Sequence, residues 1–147
     1  MMENIQRPTA AFIGASWAAL LVGTVAYLIG LYNLSLGITL KGYFFVLLMY
    51  GLFATVSLQK SVRDKLEGIP VTTIYFGLCW FSVVLVIVLL AIGLWNTDGL
   101  ANSERGFYAM SFLLSLFAVV AVQKNTRDVL LADKVSQRGS TDGSDVM

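Results

Sequence analysis

Two short segments of this chain repeat one pattern of ionisable side chains: Gln59, Lys60, Arg63 and Asp64 in QKSVRD, and Gln123, Lys124, Arg127 and Asp128 in QKNTRD. On a helix this spacing sets cations and a carboxylate within one turn of each other. The motif is therefore equipped to form ion pairs, to meet anionic headgroups or to seat a polar partner surface. Acid–base or nucleophilic work needs more. The chain has no histidine, and its one cysteine, Cys79, lies in an apolar run where it reads as a small packing residue. No nucleophile–base pair, metal-ligand cluster or phosphate-cradling glycine loop is spaced along it. The expectation is a non-enzyme with no catalytic residue, cofactor or metal. A net charge of +1 leaves no basic footprint for nucleic acid.

The elements that must position these motifs are long and apolar. Of 147 residues, 57% are hydrophobic and only 13% charged, with a mean hydropathy of +0.76, well above the composition of a soluble domain. No charge interrupts residues 10–32, 42–58, 71–95 or 106–122. At 1.5 Å per residue the first of these reaches roughly 34 Å, enough to cross a hydrocarbon core of about 30 Å. The two shorter runs need help from a snorkelling lysine at their ends. Continuous apolar runs of this length satisfy their backbone in lipid as helices, not as strands of a barrel. The predicted fold is an all-α membrane protein with four transmembrane helices.

These four spans are two copies of one unit. With a shift of 63, residues 12–33 match 75–96 at Gly14/Gly77, Trp17/Trp80, Val25/Val88, Ile29/Ile92, Gly30/Gly93, Leu31/Leu94 and Asn33/Asn96. With a shift of 64, residues 41–64 match 105–128, including all four residues of the charged motif. Shared apolar composition does not align tryptophans and asparagines, so the chain is a tandem duplication. Two helices per copy return the chain to its starting side, giving two parallel repeats. The predicted division is an N-terminal segment 1–9, a first repeat 10–68, a second repeat 69–130 and an unstructured tail 131–147, whose SQRGSTDGSD composition is too polar to fold by itself.

The repeated unit ends its first helix GLYN or GLWN, opens its second with KGYFF or RGFYA, and closes on the QKxxRD motif. In this it resembles the YiaA/YiaB two-helix-domain family of bacterial inner-membrane proteins, in the arrangement with two copies, over about residues 10–130. The resemblance implies a multi-pass inner-membrane location and carries no activity with it. Arg7, Lys60, Arg63, Lys65, Lys124, Arg127, Lys134 and Arg138 fall on one side of the spans, and only Lys41 and Arg105 on the other. By the positive-inside rule both termini are expected in the cytoplasm and the loops 34–40 and 97–104 outside.

The remaining candidates read as membrane fittings. Tyr32-Asn33 and Trp95-Asn96 place an amphipathic ring at the outer interface, followed by a residue suited to a left-handed helix cap. Ala15, Ala19 and Gly23, with Ala26 and Gly30, offer a groove of small residues, and Ser111 and Ser115 repeat that spacing on the last span. QKxxRD is expected to anchor the inner ends of the helices to headgroups or to make a paired polar contact. The expected partners are membrane lipids, anionic headgroups among them, and a second copy or another membrane protein. The expected role is an accessory, assembly or stress-related component acting through helix contacts. The alternative is a passive pore lined by Thr24, Tyr27, Tyr50, Thr55 and Ser57.

Overall fold

The computed structural model describes residues 6–142. It contains four helices, α1 (Ala10–Asn33), α2 (Ile38–Leu66), α3 (Thr73–Asn96) and α4 (Asn102–Asp142), and no strand among the described residues. All four are long and apolar enough to cross a membrane. The duplication extends to their ends. Thr9 and Thr72, 63 residues apart, cap α1 and α3 by accepting the Phe12 and Tyr75 amides at 3.2 and 3.3 Å. At the other end the amides of Leu34 and Thr97 return to the Gly30 and Gly93 carbonyls.

Two expectations change here. The left-handed turn foreseen at Asn33 and Asn96 does not form. Leu34 and Thr97 leave the helices in extended conformation, and Asn96 instead donates its side-chain amide to the Ile92 carbonyl at 2.9 Å. The segment 131–142 belongs to α4, while 143–147 lie outside the described residues. Hydropathy marks where a helix leaves lipid, not where it stops. Leu130 to Gln137 holds good helix formers with no proline, and Arg7 pairs with Asp133 at 3.1 Å alongside it. For the same reason α2 runs beyond its apolar stretch through the charged motif.

The two-helix copy is not the packing unit. The closest partnerships are α1 with α4 and α2 with α3, and α2 and α4 meet between them; α1 with α2, and α3 with α4, touch far less. Each copy thus gives its first helix to the second helix of the other. An approximate twofold between α2 and α4 relates these seams. Tyr27, Leu48, Val86 and Phe112 fill the centre with no exposure. The Tyr27 ring meets Tyr108 edge-on at 5.7 Å, and its hydroxyl donates to the Phe44 carbonyl at 2.9 Å. Large apolar side chains such as Val22, Phe53, Ile74, Met110 and Phe117 point outward and are well exposed, a distribution suited to lipid.

Candidate functional site

The repeated charged motif lies on the helical extensions of α2 and α4, below the apolar runs, where the two central helices adjoin. Its residues pair across copies. The Arg63 guanidinium donates to Asp128 at 2.7 Å, and that of Arg127 to Asp64 at 3.4 Å. Within each copy the lysine four residues earlier reaches the same carboxylate, Lys60 to Asp64 at 2.6 Å and Lys124 to Asp128 at 2.8 Å. Each aspartate is thus held by a lysine of its own helix and an arginine of the other. The hydrogen bond from Lys60, with Arg127 adding to it, keeps the Asp64 carboxyl below the usual carboxylate range. At Asp128 burial opposes ionisation, but the bonds from Lys124 and Arg63 outweigh it and hold that carboxyl low as well.

Glu67 breaks the symmetry. It takes hydrogen bonds from both Arg63, at 3.2 Å, and Arg127, whereas the matching position in the second copy is Leu131. Gln59 and Gln123 flank the cluster half-buried, with the Gln123 Oε1 atom lacking a partner.

A second polar layer, toward the membrane, escaped sequence reasoning. Asn125 is buried and donates to the Ser16 hydroxyl at 3.1 Å, which in turn donates to the Phe12 carbonyl at 2.8 Å. At the matching positions of the other seam, Ser61 and Cys79 lie 3.6 Å apart. Both pairs obey the shifts of 63 and 64, but their residue types differ between copies, so a search for identities passes over them.

The small residues divide. Gly23 and Gly30 lie against α4: a Cβ on Gly23 would stand 2.8 Å from the Ser115 Oγ and 3.1 Å from the Ser111 carbonyl, and one on Gly30 would stand 2.9 Å from both the Phe107 ring and the Tyr108 hydroxyl. Ser111 and Ser115 are buried in this seam, their hydroxyls donating to the Tyr108 and Ser111 carbonyls. Ala19 and Ala26 are half-buried, and Ala15 faces outward because Ser16, not Ala15, looks toward α4. Of the residues considered as pore lining, Thr24 and Thr55 donate to carbonyls of their own helices, Tyr27 is buried in the apolar core and Tyr50 packs against that core, and Ser57 lends its carbonyl to Ser61.

At the end opposite the charged motif Tyr32, Asn33, Trp95 and Asn96 are exposed. The two cations of this side are both spent on helix ends: Lys41 donates to the Tyr32 carbonyl at 2.8 Å and Arg105 to the Leu94 carbonyl at 2.9 Å, where the helix dipole favours them. Two clefts of about 580 and 450 Å³ open at matching places, one beside Gly30, Asn33 and Tyr108, the other beside Gly93, Asn96 and Tyr43. No group of three or more His, Cys, Asp or Glu suited to a metal occurs among the described residues.

The yiaA/B two helix domain matches this chain twice, at residues 12–64 and 75–128, each match closing on the aspartate of an ion-paired motif. The chain belongs to the YiaA/YiaB two-helix-domain family. It is 49% identical over 128 residues to the inner membrane protein YiaA of Escherichia coli (strain K12), covering 87% of this chain and 88% of that protein. No solved structure matches. Like its YiaA relative, the chain is a multi-pass inner-membrane protein, with the family domain present in two copies.

Proposed function

We infer that this protein is a non-enzymatic component of the inner membrane that works through helix contacts, as an accessory, assembly or stress-related subunit. The observation that carries this reading is the use made of the charged groups at the ends of α2 and α4. Each aspartate is met by one lysine and one arginine at 2.6–3.4 Å, which commits these groups to joining helices and leaves neither carboxylate placed as a general base. Lys60 and Lys124 keep side-chain exposures of 61% and 57%, so they remain within reach of anionic headgroups. Leu130 and Val135 stand exposed on the extension of α4, offering apolar contact to another membrane protein.

Both termini are assigned to the cytoplasm. The excess of Lys and Arg on that side supports the assignment, and the Arg7–Asp133 pair fits both segments lying on one side of the membrane. Reporters at Gly99 and after Met147 should read external and cytoplasmic respectively; the reverse pattern refutes it.

Affinity purification in mild detergent tests the functional reading. A partner recovered with the full chain and lost on Leu130→Asp with Val135→Asp supports it. Protein-dependent solute flux in reconstituted liposomes, with no recoverable partner, would replace it with the pore.

A further inference from the structure

The two seams are related by the duplication yet are filled differently. In the α1–α4 seam Gly23 faces Ser115, so close that a Cβ on the glycine would stand 2.8 Å from the serine Oγ. In the α2–α3 seam the matching residues are Val86 and Gly51, and the glycine is now on the other helix: a Cβ there would stand 3.0 Å from Val86 Cγ1 and 2.9 Å from Phe112. One seam is glycine to serine, the other valine to glycine. The polar layer differs in the same manner, Ser16 with Asn125 in one and Cys79 with Ser61 in the other.

We propose that these differences form a matched code by which each two-helix copy accepts the unlike copy as its partner and excludes a second copy of its own kind. Pairing the first copy with itself would bring Gly23 opposite Gly51, leaving a void at both seams. Pairing the second with itself would press Val86 against Ser115, where contact with glycine is already tight, and would set Asn125 opposite Cys79, removing the hydroxyl acceptor of its amide. Voids and overpacking both destabilise, and specificity follows from penalties on the wrong pair as much as from contacts in the right one. A chain therefore closes on its own two halves, and between chains only unlike copies fit. Any larger assembly must exchange unlike copies between chains or use the outward faces.

Two experiments on the full chain in native membranes test this. Val86→Gly, which sets glycine against Gly51, should cut the yield of folded, monodisperse protein about tenfold, and adding Gly51→Ser, which rebuilds the glycine–serine pair of the other seam, should restore most of it. A double variant as impaired as the single one overturns the code. The second test uses thiols. Ser61→Cys beside native Cys79 should oxidise within the chain, giving a monomer with no free thiol. Ser16→Cys with Ser61→Cys and Cys79→Ser puts the two thiols on opposite seams, where they meet only if first copies of two chains pair. It should stay monomeric with both thiols free, and a disulfide-linked dimer overturns the proposal.

Discussion

The two ends of the bundle solve one problem with different chemistry. At the end that carries the charged motif α2 and α4 are tied across copies by Arg63–Asp128, Arg127–Asp64 and the shared Glu67. At the opposite end the copies meet without charge: Gly30 lies under Phe107 and Tyr108, Gly93 under Tyr43 and Phe44, and the Tyr43 hydroxyl donates to the Leu89 carbonyl at 2.7 Å. The difference follows the solvent. Past the apolar runs, water and headgroups lower the cost of keeping carboxylates and guanidinium groups ionised. Within the lipid region only close backbone approach and neutral hydrogen bonds hold helices together, because apolar contact gains little where lipid is as apolar as the partner.

By that contrast the uncharged end is the less forgiving. Gly93→Leu would drive a side chain into Tyr43 Cε1, 2.7 Å from the nearest Cβ position. It should cost more than about 2 kcal/mol, seen as collapse of the thermal transition in detergent. Arg63→Ala leaves Asp128 with Lys124 alone and should cost about 1–2 kcal/mol, less than a fully buried pair because the Arg63 side chain keeps 18% exposure. The loss should grow smaller in high salt, whereas that of Gly93→Leu should not. Tyr27→Phe removes one neutral hydrogen bond and should cost about 0.6 kcal/mol. Glu67→Gln should shift the midpoint least, by under about 0.5 kcal/mol.

Acid sharpens the contrast further. Asp64 and Asp128 have carboxyls held below their unfolded value. Their contribution is therefore fully present above about pH 5 and is lost as pH falls through about 4 and below. Unfolding curves should superpose from pH 8 to 5 and weaken only below that range. A variant with both Asp64→Asn and Asp128→Asn should show a flatter acid limb, while Gly93→Leu should keep the wild-type slope.

The four spans were legible because runs free of charge over 17 or more residues have few other meanings. The charged ends of α2 and α4 were not, since Gln59 to Asp64 and Gln123 to Asp128 are as suited to a helix in water as the preceding residues are in lipid. The pairing of α1 with α4 was hidden for a deeper reason. A lipid-facing surface is as apolar as a packed one, so periodicity does not say which side of α1 turns inward, and only the glycines hint at it. Gly23 and Gly30 lie on the face turned toward α4, and it is Ser16 rather than Ala15 that continues that face. The charged motif was visible as a repeat, but its exchange of arginines between copies required the helices to be placed side by side.

One consequence follows from the length of α4. Its 41 residues run unbroken from Asn102 to Asp142, about 60 Å of continuous helix and roughly twice the hydrocarbon thickness. Such a rod is a lever. A push or twist applied near Val135 is not absorbed by a flexible joint but travels along the shaft to the place where Ser115 bears on Gly23, and there becomes a strain on the seam with α1.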